Sequence, residues 1–95
     1  MSHKDYKNIG GLQDKLLEEV GEVFKALGKA RRFGYFNWHP DRPESTNIKE
    51  LYDEINDLLA VCVDIHWVLY PLIRDVEKGK LTEEEAVRKV KEAGL

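Results

Sequence analysis

One helical pattern of acidic and apolar residues occurs twice in this chain, offset by 35 positions. Glu18, Glu19 and Glu22 in KLLEEVGEVF match Asp53, Glu54 and Asp57 in ELYDEINDLL. The apolar residues keep the same register: Leu16 with Leu51, Val20 with Ile55, Val23 with Leu58, Phe24 with Leu59, Leu27 with Cys62, Ala30 with Ile65. This predicts two long helices, each with carboxylates at the edge of an apolar stripe. Acid groups are costly there unless something positive meets them.

On a helical wheel of about 100° per residue, Glu19 borders an arc holding Leu12, Leu16, Val20, Val23, Leu27 and Ala30, extended by Leu17 and Phe24. Glu22 lies one step to the other side, with Lys15, Ala26 and Lys29, and Glu18 lies further round and wetter. In the second helix Glu54 borders Leu51, Ile55, Leu58, Cys62 and Ile65, and Asp57 lies one step out. Packed antiparallel, the two stripes can bring four carboxylates together. Like charges at that spacing repel, and a cation relieves them; all-oxygen donors suit Mg²⁺, with Mn²⁺ able to substitute. A lone ExxE pair is commonly a solvated face. Two in one register, against the same kind of stripe, single out a site.

The pattern EExxE, a loop, then ExxD is carried here by Glu18-Glu19-Val20-Gly21-Glu22 and Glu54-Ile55-Asn56-Asp57. It resembles the motif of the all-α nucleoside triphosphate pyrophosphohydrolases, the MazG-type superfamily that includes dimeric dUTPases. ARRFGYFNWHP also looks like the RFG-containing loop of small MazG-like proteins, many of them phage-encoded. The resemblance covers about half the chain, from Leu16 to Ile65. It implies Mg²⁺-dependent cleavage of an NTP or dNTP to the monophosphate and pyrophosphate. By the match, Glu19, Glu22, Glu54 and Asp57 would be metal ligands, and Glu18 the general base or a ligand of an additional metal. Phosphoribosyl-ATP pyrophosphatase is a related alternative. Its second motif continues as ADLxYH, where this chain has NDLLAV with Ala60 and Val61, and its SYT-type opening is missing. A non-catalytic, metal-binding helical dimer is the alternative from another class. A di-iron bundle would want Glu-x-x-His pairs, and neither acidic cluster supplies one.

The 95 residues make one small domain, 1–95, with a polar and loose stretch at 1–10 closed by Gly10-Gly11. The formal charge of −3, from 15 basic and 18 acidic residues, gives no basic field for nucleic acid. The polar start MSHKDYKNIGG shows no secretory signal, so the expected location is cytoplasmic, the host cytoplasm if phage-encoded. The single Cys62 reads as a buried small hydrophobe.

The fold expected is all-α. Helix 1 runs from about Leu12 to Arg32 and ends at Gly34. Within it Gly21 and Gly28 each cost about 1 kcal/mol, which implies a packing or ligand reason. Residues 34–46 form a loop. Helix 2 is capped by Ser45, Thr46 or Asn47 and runs to about Tyr70, where Pro71 ends or kinks it. Thr82 and Glu85 form a capping box for a last helix reaching about Ala93. The stretch LLAVCVDIHWVLYPLI is apolar nearly all round, yet too short and interrupted for a membrane span. A homodimer or higher homo-oligomer, completing a four-helix core, is expected to cover it.

A triphosphate also needs cations and a base platform. Lys15 and Lys29 share the Glu22 side of helix 1, and Lys29 and Arg32 point beyond the acids toward the loop. Trp38, with Tyr35 and Phe36, can stack on a base or anchor the loop, and a tryptophan platform favours a purine dNTP as substrate. Asn8, Gln13 and Asn56 carry amides suited to a base edge. His39 and His66 read as structural residues. No nucleophile set for a covalent intermediate is visible, so water attack on phosphorus is expected.

Overall fold

The computed structural model describes residues 11–95 and is all-helical among them: α1 Gly11–Phe33, α2 Asn47–Glu77 and α3 Glu83–Glu92. Helices α1 and α2 form an antiparallel hairpin, and α3 folds back on the C-terminal half of α2. Asn8 and the polar stretch 1–10 lie outside the described residues.

The local signals act where the sequence puts them. Gly34, at φ 101°, follows the last turn of α1 and donates its N–H to the Ala30 carbonyl at 2.9 Å. Of the three candidate caps for α2, Thr46 takes the role, its hydroxyl accepting from the Lys49 N–H. Thr82 and Glu85 form the reciprocal capping box of α3. Pro71 does not end α2, which continues to Glu77. The lost hydrogen bond is outweighed by packing: Leu69, Leu72, Ile73 and Val76 keep a helical period and face Ala86 and Val90 of α3. The C-terminus closes back on the start of α1, with the Gln13 N–H donating to the Gly94 carbonyl at 2.7 Å. Gly11 and Gly94 meet so closely there that a Cβ on Gly11 would sit 2.6 Å from the Gly94 Cα.

The centre of the hairpin is narrower than the wheel suggests. Among the described residues, the buried apolar ones are Ala26, Ala30 and Val61. Ala26 belongs to the packed face of α1, although the wheel puts it beside Glu22 and the lysines. The face α2 turns to α1 runs through Asn47, Glu50, Glu54, Leu58, Val61 and Ile65, steps of three and four residues. Glu54 thus sits inside the contact face, flanked along the helix by Leu51 and Leu58.

Much of the expected stripe is uncovered in the single chain. Leu17, Phe24, Leu59, Val63, Trp67 and Ile73 are all more than half exposed. Cys62 is exposed as well, not the buried hydrophobe expected from its position. His66 is likewise exposed, stacked on Tyr70 at 5.8 Å between ring centroids. Both have the same cause: α1 covers the Val61 side of α2 and leaves the opposite side bare. A Cβ at Gly21 or Gly28 would meet nothing within 4 Å, so no packing reason for these glycines lies among the described residues, and the ligand reason expected as the alternative stays open. By length and composition α2 is also long and apolar enough to cross a membrane. Asp53, Glu54, Asp57 and Asp64 interrupt it, and each acid at a bilayer centre costs roughly 2.5–3.5 kcal/mol.

Candidate functional site

The antiparallel crossing sets the acids of α1 against those of α2 in pairs. Glu19 faces Asp57, and Glu22 faces Glu54 closely enough to hydrogen-bond. Burial, then the hydrogen bond with Glu22, then the charges of Glu22, Asp57 and Glu19 raise Glu54 above the ordinary carboxyl range. Burial first, then Asp57, Glu18 and Glu22, raise Glu19, with Lys15 opposing. The four residues Glu19, Glu22, Glu54 and Asp57 are therefore brought into mutual electrostatic contact. As the side chains stand, no three His, Cys, Asp or Glu among the described residues are gathered into a cage able to hold a metal ion. The donor chemistry suits a hard cation, and side-chain rotation about these paired carboxylates is what a cage requires. Glu18 is half-buried, less wet than the wheel implies, and its charge acts on Glu19.

Two cavities flank the acids. On one side, about 250 Å³ is lined by Lys15, Glu19, Asp57 and Asp64. On the other, about 300 Å³ is lined by Glu22 and Glu54 together with three cations, Lys25, Lys29 and Arg42. Glu50 organises this second cavity. It accepts from Lys29 Nζ at 2.9 Å and from Arg42 Nε at 3.3 Å, tying α1, the loop and α2 together. The Lys29 hydrogen bond holds the Glu50 carboxyl below its usual range against the opposing effect of burial, with the charge of Lys29 and the contacts of Arg42 adding to it. Arg42 spends only its Nε on Glu50, which leaves its terminal nitrogens available to an anion.

Lys29 also lines a third and larger cavity, about 560 Å³, formed with Phe33 and the loop residues Trp38, His39 and Pro40. An antiparallel bridge between Trp38 and Thr46 shapes the loop, as do hydrogen bonds from the Asn47 N–H to the Asn37 carbonyl (2.8 Å) and the Ile48 N–H to the Tyr35 carbonyl (2.7 Å). Trp38 is half exposed at its rim. Acids, cations and aromatic loop therefore lie in sequence along one edge of the hairpin.

The other sequence candidates fall elsewhere. Arg32 lies over the Phe33 ring, 5.7 Å from its centroid, and lines none of these cavities. Gln13 is at the far end of α1, 20 residues before Phe33 and hence about 30 Å from the loop. One nucleotide in one protomer does not span Gln13 and Trp38. Asn56 is exposed and lines none of the three cavities. Arg42, Glu50 and Asn37 carry no sequence expectation, and Asn47 was expected only as a helix cap. Glu50 and Asn47 share a helical face with Glu54, and that spacing was a readable signal; Arg42 and Asn37 lie in an aperiodic loop and carry none.

Compared with models of protein families, with curated proteins and with solved structures, the chain gives no match.

Proposed function

We propose that this chain is a divalent-metal-dependent nucleoside triphosphate pyrophosphohydrolase of the MazG type, cleaving an NTP or dNTP to the monophosphate and pyrophosphate. The observation that carries the reading is the cross-helix pairing of Glu19 with Asp57 and Glu22 with Glu54, directly beside a cavity lined by Lys25, Lys29 and Arg42. The neighbouring carboxylates raise Glu19 and Glu54 above the ordinary carboxyl range by repulsion, and a cation removes that repulsion. Mg²⁺, with Mn²⁺ as substitute, supplies charge neutralisation and a more acidic bound water when present. Glu19, Glu22, Glu54 and Asp57 would hold it. Glu18, on the same turn, takes the proton from the attacking water. Lys29 and Arg42 neutralise the phosphates that the metal does not reach. Cleavage at the α-phosphorus comes from the motif resemblance, not from the arrangement of these groups.

The working unit in this reading is a homodimer or higher homo-oligomer. The bare face of α2, with Leu59, Val63, Trp67 and Ile73, is the surface a second copy covers, completing a four-helix core. Each hairpin carries its own acidic pairs, so each protomer has its own metal site. The deciding experiment incubates the protein with each NTP and dNTP, with Mg²⁺ or Mn²⁺, and resolves the products. Monophosphate plus pyrophosphate is expected. Diphosphate plus phosphate, or no metal-dependent product from any nucleotide, overturns the reading.

A further inference from the structure

The cavity between Phe33 and the loop carries two amides whose orientation is fixed from behind. Asn47 is 4% exposed and donates its Nδ2 to the Gly34 carbonyl at 2.9 Å. Asn37 donates its Nδ2 to the Phe33 carbonyl. In each case the amine end is turned onto a backbone carbonyl of the α1 terminus. Flipping either amide would set oxygen against oxygen, so the assignment follows from the chemistry of the partners. No described residue donates to either amide oxygen. Asn37 and Asn47 both line this cavity.

The cavity is aromatic and apolar on its walls, through Phe33, Trp38 and Pro40, and the two amides that line it have their donor ends already engaged, which leaves their oxygens as the groups able to meet a ligand. Its volume of about 560 Å³ is in the range of small-molecule pockets. Lys29 is common to it and to the cation-lined cavity beside the acids, so a ligand lying across both has its anionic end at Lys25 and Arg42 and its flat end here.

We infer that this cavity is a nucleobase subsite that selects a purine bearing an exocyclic amino group, using the side-chain oxygens of Asn37 and Asn47 as acceptors. The inference rests on the nucleotide reading above for its ligand class and goes beyond it in choosing the base. Adenine offers the two protons of its 6-amino group, and guanine offers its ring N–H and 2-amino group. Uracil, thymine and hypoxanthine present carbonyl oxygens flanking a single N–H, or no amino donor at all. Against two amide oxygens these leave acceptors facing acceptors. A site built to receive a donor discriminates by leaving its own polar atoms unpaired with the wrong ligand. Trp38 and Phe33 add ring surface that a purine covers more fully than a pyrimidine.

The test needs only the wild-type protein and ligands that differ by one amino group. With Mg²⁺ present, calorimetry compares AMP with purine riboside 5′-monophosphate, and GMP with IMP. The amino-bearing member of each pair is expected to bind at least about tenfold more tightly, about 1.4 kcal/mol. Asn37→Ala, at an exposed position, is expected to narrow the AMP gap while leaving the binding of inorganic pyrophosphate unchanged. Asn47 is buried and ties the loop to α2, so its replacement is the less informative variant. Equal affinities within both pairs overturn the inference, as does absence of any monophosphate binding. Triphosphate hydrolysis at one kcat/KM for every base would refute this subsite while leaving the hydrolase reading intact. An amino-dependent affinity gap in a protein that hydrolyses no triphosphate would do the reverse.

Discussion

Replacing Glu54 with glutamine should make the metal-free protein more stable and the enzyme nearly inactive. Glu54 lies in the contact face of α2, half-buried, beside Glu22 and within the field of Asp57 and Glu19. Its carboxyl is raised above the ordinary range, first by burial. For an acid with a raised folded-state pKa, the folded form binds the proton more tightly than the unfolded form. Stability therefore falls as pH rises through that window, and above it the ionised group destabilises the fold. At pH 7.5 the glutamine removes this penalty and can donate its amide to the Glu22 carboxylate. One like charge at about 4 Å is worth about 1 kcal/mol in a water-like dielectric, the appropriate limit for partly exposed groups. In a domain of this size that corresponds to a rise of about 4–8 °C in Tm. Circular dichroism melts in EDTA measure it. Added Mg²⁺ should then raise the wild-type Tm, by up to about 2.7 kcal/mol of stabilisation at a hundredfold excess over Kd, and leave Glu54→Gln little changed. Turnover should drop at least about 100-fold, about 2.7 kcal/mol of transition-state stabilisation. A variant that melts lower than wild type in EDTA would refute the repulsion argument. One that keeps full activity would sink the metal-site assignment.

Glu18→Gln should lose turnover while still binding Mg²⁺ and nucleotide; calorimetry in which metal binding collapses as completely as in Glu19→Gln would make Glu18 a ligand instead. Glu50→Gln should lower stability by about 1 kcal/mol at pH 7, because its carboxyl accepts from Lys29 at 2.9 Å and Arg42 at 3.3 Å. Since the Glu50 carboxyl is held below its usual range, that contribution is present above the unfolded-state pKa and lost as pH falls through the folded-state value. Urea unfolding that gives the same difference at pH 7 and near pH 3 would disprove the ion-pair account. Light scattering at micromolar concentration should find at least a dimer, and Leu59→Glu, on the bare face of α2, should dissociate it while keeping its helicity. A stable, active 11.0 kDa wild-type monomer would refute the oligomer.

Helix caps and the acidic register were legible in the sequence because they depend on neighbours a few residues apart. Thr82 with Glu85, Gly34 after α1, and the 35-residue offset of the two acidic clusters each follow from local hydrogen bonding or helical period. Those local rules also determined that the chain is helical, that Glu19 and Glu54 border the apolar faces, and that Glu22 and Asp57 lie one step out. They could not determine which part of each broad apolar face meets the other helix. Ala26, Ala30 and Val61 were chosen by the crossing, where small side chains let the helices approach, and Phe24, Leu59 and Cys62 were left outside it. Nor could they carry α2 past Pro71, since the contacts that outweigh the lost hydrogen bond come from α3. The face shared by Asn47, Glu50 and Glu54 was readable from its spacing, but the partners that Lys29, Arg42 and Asn37 supply to it were not. Those partners come from α1 and an aperiodic loop, and only the folded chain brings them to α2.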